Sequence, residues 1–86
     1  MKIIYAEEFC KKFQALPEEI QHLYRAQEAR FRKNWRDPRL HIKQLRDNPL
    51  PFSFRITRRY RVLFAFIEEE TVIFATIGHR KDIYRR

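Results

Sequence analysis

The sequence predicts an α+β domain with the chain order β-α-α-β-β-β, a helical hairpin packed on one face of a mainly antiparallel sheet and a short basic C-terminal tail. Three observations carry this. From Phe52 onward apolar residues alternate with polar ones in three consecutive runs joined by short connections. Two amphipathic stretches, meeting at Leu16-Pro17, precede them. A short β-branched and aromatic run, Lys2 to Tyr5, opens the chain.

In chain order, Lys2 to Tyr5 is too short for a helix and is expected to add a strand to the sheet. Phe9, Phe13 and Leu16 follow at helical spacing over Glu7 to Leu16, with acids in the first turn. Pro17 with Glu18 and Glu19 opens a second helix, a position that suits proline. Its apolar stripe is Ile20, Leu23, Tyr24, Phe31 and Trp35, with Gln27 as a polar gap, and Asp37-Pro38 ends it. Trp35 reads as core edge rather than as part of a partner groove. Arg25, Arg30, Arg32, Lys33 and Arg36 on the outer face read as solvated surface. Asp37 to Pro51 links helices to sheet, anchored by Leu40, Ile42 and Leu45, and His41 reads as a plain surface histidine.

The three final strands are Phe52 to Ile56, Tyr60 to Ile67 and Thr71 to Ile77, the first two joined by the three-residue loop Thr57 to Arg59 and the last two separated by Glu68-Glu69-Glu70. Connections this short force antiparallel neighbours. Phe54 belongs opposite Val62, because a two-residue loop would set Ile56 against Arg61. That register places Arg55 directly opposite Arg61 on the face away from the helices. Like charges so placed destabilise a sheet. Either an anion is expected between them or both guanidiniums splay into solvent. With Val72, Phe74 and Thr76 turned to the helices, Ile77 and His79 share the arginine face. Gly78, the only glycine, permits a bend there.

The 86 residues fit a single domain, with 44% apolar and 35% charged residues excluding a disordered chain. A net charge of +8 predicts attraction to a polyanion, whether nucleic acid, an acidic protein or an anionic membrane surface. Cys10, the only cysteine, excludes an internal disulfide and a multi-cysteine zinc site. The N-terminus lacks the pattern of a signal peptide and no apolar run could cross a bilayer, so a cytosolic setting is expected. A histidine moves protons near neutral pH, arginines hold phosphate, and tyrosine stacks on bases or donates a proton. His79, Arg55, Arg61, Arg80 and Tyr84 are therefore expected to converge at one sheet end.

These residues resemble a known family. Phe54-Arg55-Ile56, Tyr60-Arg61-Val62-Leu63-Phe64, Ile77-Gly78-His79-Arg80 and Ile83-Tyr84 are similar to the pattern of the RelE/ParE superfamily of toxins from bacterial and archaeal toxin–antitoxin pairs. Upstream, Asp37-Pro38-Arg39-Leu40 and Lys43-Gln44-Leu45 fall where the family has proline-leucine and lysine-leucine steps. The resemblance spans essentially the whole chain, residues 1–86. It implies a toxin held inactive by an acidic antitoxin. RelE-like members cleave mRNA in the ribosomal A site by attack of a ribose 2′-OH on the adjacent phosphate. ParE-like members inhibit DNA gyrase without cleaving anything, and a degenerate toxin would only bind antitoxin or RNA.

By the same resemblance Arg55, Arg61, Arg80 and Tyr84 match active-site positions, and His79 stands near a catalytic histidine of some ribonuclease members. Arg58, Arg59, Lys81, Arg85 and Arg86 are expected to contact RNA, with no metal or cofactor and no membrane involved. Ser53 departs from the family, standing where some members have a lysine implicated in catalysis. The glycine after the lysine-leucine step is also replaced, around Arg46-Asp47-Asn48.

Overall fold

The computed structural model describes residues 1–84; Arg85 and Arg86 of the expected RNA-contacting set lie outside the described residues. Strand β1 (Lys2–Tyr5) leads into helix α1 (Glu7–Gln14) and helix α2 (Glu18–Lys33). A single 3-10 turn (Pro38–Leu40) precedes the two-residue strand β2 (Lys43–Gln44). Strands β3 (Phe52–Arg55), β4 (Tyr60–Glu68) and β5 (Thr71–His79) form the meander, and the basic tail closes as a short helix, α3 (Arg80–Ile83). The sheet has five strands in the order β1-β5-β4-β3-β2. Only the β1–β5 pair is parallel. The expected element order and the helix-covered antiparallel sheet are both present. Among the described residues no helix is long and apolar enough to cross a membrane.

The core lies between the helices and one sheet face. Phe31 of α2 is its centre, meeting Phe54, Phe64 and Phe74 at centroid distances of 5.4, 5.1 and 5.1 Å. Phe9 and Phe13 of α1 meet Tyr24 of α2 at 5.6 and 5.2 Å, which joins the two helices through aromatic contact. Such pairs add roughly 0.5–1.5 kcal/mol each beyond the apolar area they bury. Helix α2 ends at Lys33, two residues before Trp35, which packs edge-on against Phe52 and Phe66 from the turn that follows. The buried residues of α2 are Tyr24, Gln27 and Phe31, so the polar gap lies inside the core and Leu23 is exposed.

Gln27 is a tie. Its amide donates to the Arg39 carbonyl at 2.9 Å and to the Arg55 carbonyl at 2.6 Å, while its own oxygen accepts from Arg30 at 2.6 Å. One side chain thus joins α2, the 3-10 turn and the end of β3. A buried amide is stable only when its groups are paired, and these are.

The β3–β4 register is the one expected from hydrophobic pattern: Phe54 faces Val62 and Arg55 faces Arg61. The end of β5 corrects the sequence reading. Leu63 pairs with Thr76 but Phe64 pairs with Phe74, which leaves Ala75 as an extra residue in a β-bulge. Beyond it the faces exchange relative to strict alternation. Ile77 opposes Val62 in the helix-side core, Thr76 opposes Leu63 on the far face, and Gly78 opposes Arg61. His79 opposes Tyr60 on the helix side and does not share the arginine face.

The far face is covered as well. Leu63 and Ile83 are buried there, and Asn48, Pro49 and Leu50 line the same recess. A Cβ at position 78 would lie 2.9 Å from Cγ2 of Ile83, so glycine lets α3 settle against β5. Replacing Gln27 by Leu keeps the bulk but removes both donated hydrogen bonds. The variant should lose about 1–3 kcal/mol of unfolding free energy in urea titration, with the slope unchanged.

Candidate anion-binding site

Arg61 is the residue around which the far face is built. It is 8% exposed, and it forms no ion pair among the described residues. Its Nε donates to Ser53 Oγ at 3.0 Å, and one terminal nitrogen donates to the His41 carbonyl at 2.8 Å. The Ser53 hydroxyl and the Tyr84 hydroxyl are 3.3 Å apart, linking arginine, serine and tyrosine in one chain. Burial lowers the proton affinity of Arg61; Tyr84 opposes that, and the charge of Arg55 adds to it. Its partners among the described residues, the Ser53 and Tyr84 hydroxyls and the His41 carbonyl, are neutral groups.

Local sequence explains each partner. Ser53 lies on the far face because Phe52 and Phe54 take the core side of β3. Asp37 accepts from the Arg39 amide to start the 3-10 turn, and the turn ends with His41 at φ 48°. That left-handed residue turns its carbonyl to Arg61. Lys43 then enters β2 opposite Ser53, with its ammonium 6.0 Å from the centre of the Tyr84 ring. The Arg80 amide donates to the Arg59 carbonyl at 2.7 Å, which fixes the start of α3 against the β3–β4 loop.

A cavity of about 330 Å³ opens over this arrangement, lined by Arg55, Arg58, Arg61, Arg80, Lys43, His41 and Tyr84. No acidic side chain lines it. The structure therefore brings together Arg55, Arg61, Arg80 and Tyr84 of the expected catalytic set and Arg58 of the expected RNA-contacting set. His79 does not line it. Its ring stands against Tyr60 at 5.5 Å, and its Nδ1 accepts from the Lys81 amide at 3.1 Å as the N-cap of α3. Arg59 contributes its carbonyl, and the side chains of Arg59 and Lys81 are exposed outside the cavity.

Two lining residues escaped the sequence reading. His41 was expected to be ordinary surface, and Lys43 was noted only within a lysine-leucine step. The available signal was Asp37-Pro38, which begins a turn that returns the chain beside β3. Among the described residues no three His, Cys, Asp or Glu side chains are grouped to hold a metal ion. A second cavity, about 420 Å³, adjoins the first across Lys43 and Tyr84.

No family model matches the sequence, and no curated protein sequence does. Solved structures match its fold over almost the whole chain. A chain of the RelB–RelE antitoxin–toxin complex from Methanococcus jannaschii superposes with a TM-score of 0.74 at 23% identity, covering 94% of both chains. A chain of the archaeal RelE–RelB complex from Pyrococcus horikoshii gives 0.74 at 13% identity, covering 94% of this chain and 96% of that one. A copper-bound mutant toxin from Helicobacter pylori gives 0.70 at 14% identity, over 98% and 99%. The protein thus shares the fold of these toxin structures.

A buried cation with neutral partners makes the folded state a receptor for anions. Inorganic phosphate at about ten times its dissociation constant should add roughly 1.4 kcal/mol of stability, read as a rise in Tm of about 5 °C or more at constant ionic strength. In Arg61→Gln that rise should fall to the level given by chloride.

Proposed function

We propose that the protein is the toxin of a toxin–antitoxin pair and a ribosome-associated mRNA endonuclease. The observation that carries this is the nearly buried Arg61, opposed by Arg55, facing a cavity lined by cationic side chains, His41 and Tyr84, with no carboxylate among the described residues that line it. The shared fold with chains of RelB–RelE complexes supports it.

The reaction follows from the chemistry of the lining. A ribose 2′-oxygen attacks the adjacent phosphorus as its proton leaves. The bond from phosphorus to the 5′-oxygen breaks, leaving a 2′,3′-cyclic phosphate and a 5′-hydroxyl that takes up a proton. Negative charge grows on the phosphoryl oxygens in the transition state; Arg61, held by Ser53 and the His41 carbonyl, and Arg55 opposite it on β3 stabilise that charge. Arg80 and Arg58 hold the flanking backbone. Tyr84, placed by Ser53, stacks on a base or protonates the leaving oxygen. The proton role expected of His79 passes to His41, because His41 lines the cavity while His79 caps α3. The partner that silences the toxin is an acidic antitoxin segment that neutralises the basic sheet end.

Mapping mRNA 5′ ends on stalled ribosomes, beside a gyrase supercoiling assay with the same protein, tests the reading directly. Cleavage without gyrase inhibition is expected; the reverse result would make it a non-enzymatic gyrase inhibitor. Arg61→Ala should lower single-turnover cleavage about a hundredfold, the equivalent of about 3 kcal/mol of transition-state stabilisation. His41→Gln should lower the single-turnover rate of cleavage with ribosome binding little changed. His79→Gln should act mainly on stability, through loss of the α3 cap. If His79→Gln slows cleavage without loss of stability and His41→Gln does not slow it, the two roles are exchanged.

A further inference from the structure

The arginine cavity has a neighbour on its His41 side. Trp35, Arg36, Asp37, Pro38 and Ile42 line it together with His41, and its volume is about 390 Å³. His41 is the wall common to both cavities. We propose that this pocket is a subsite for the base of a nucleotide next to the one whose phosphate occupies the arginine cavity. The proposal rests on the endoribonuclease reading and adds a place where single-stranded RNA is held.

Two features select a base over other occupants. Trp35 is held edge-on by Phe52 at 6.0 Å and Phe66 at 5.0 Å, and the Arg36 guanidinium lies 5.1 Å from the centre of its ring. An exposed guanidinium backed by an aromatic ring is a flat, cationic surface of the kind on which unpaired bases stack. The lining also offers no free negative charge. Asp37 is its only acid, and Arg39 binds both carboxylate oxygens at 2.8 and 3.1 Å, holding the carboxyl down at about 2.

The connection between the two cavities is rigid where it matters. His41 is fixed by its carbonyl to Arg61, and its neighbour Leu40 is fully buried. Gln27 holds the Arg39 carbonyl from beneath. A strand with one phosphate between Arg55 and Arg61 would pass His41 and deliver its neighbouring base to Arg36 and Trp35. Stacking of this kind tolerates any base, so the subsite adds affinity and register rather than sequence preference.

Trp35 is the only tryptophan, so its fluorescence reports on the pocket. The probes are a hexanucleotide with 2′-O-methyl riboses, which cannot be cleaved by 2′-OH attack, inorganic phosphate, and polyglutamate of similar charge. In low salt the hexanucleotide should quench Trp35, while phosphate raises Tm without quenching. Arg36→Ala should weaken hexanucleotide binding about tenfold and leave the phosphate-dependent rise in Tm unchanged. Arg61→Gln should weaken the binding of both. Hexanucleotide binding that depends on Arg61 but neither quenches Trp35 nor responds to Arg36→Ala overturns the subsite and leaves the nuclease reading standing. Equal quenching by polyglutamate overturns it in favour of an acidic protein partner. No hexanucleotide binding at all, in low salt, overturns the subsite, while the nuclease reading stands or falls on the mapping of mRNA 5′ ends on ribosomes.

Discussion

The constraint on which the far face depends is a largely buried guanidinium that has no counter-ion among the described residues. Burying an unpaired charge is costly, and hydrogen bonds to a hydroxyl and a carbonyl offset only part of that cost. A fold selected for stability alone would place a carboxylate beside Arg61 or replace it with an apolar side chain. Here Arg55 is set opposite it, which makes the local electrostatics worse. An arrangement that is unfavourable when empty is well suited to an anionic guest, because the positive field is already assembled when the guest arrives.

The rest of the architecture serves that placement. The β3–β4 pairing fixes the two arginines, Gln27 holds the backbone on either side, and the 3-10 turn swings His41 and Lys43 alongside. Gly78 lets α3 lie close enough for Tyr84 to reach Ser53. Gln27 reaches these contacts from within the core, between Tyr24 and Phe31, and Leu40 anchors the 3-10 turn to it. The aromatic core holds one face of the sheet, and the smaller apolar cover of Leu63 and Ile83 holds α3 on the other.

Much of this was legible in the sequence, for a physical reason. Alternation of Phe52, Phe54, Val62 and Phe64 leaves one acceptable register, and the Arg55–Arg61 opposition follows from it without any knowledge of the fold. The end of β5 was harder. Thr76 and Ile77 are both β-branched, so either could face inward. The structure puts the more apolar Ile77 inside and accepts a bulge at Ala75 to do so. Gln27 read as an interruption because helical periodicity records polarity and not partners. The carbonyls it binds lie 12 and 28 residues away in the chain. His41 was missed because its contribution to Arg61 comes from its backbone, which the identity of its side chain does not advertise.

The bulge at Ala75 also governs which changes in chain length the sheet tolerates. Pairing with β1 ends at Phe74, immediately before it, and pairing with the Arg61 end of β4 resumes immediately after. Ala75 therefore works as an expansion joint between two separately registered stretches of one strand. Removing it would leave Phe74 inward, Thr76 outward and Gly78 beside Arg61, giving unbroken pairing along β4 from Tyr60 to Phe66 with every face preserved. Loss of a residue anywhere else in β5 would turn one stretch over and carry its side chains to the wrong side. Among descendants of this sequence, length variation within β5 should therefore collect at this one position, while the segments on either side change only by substitution.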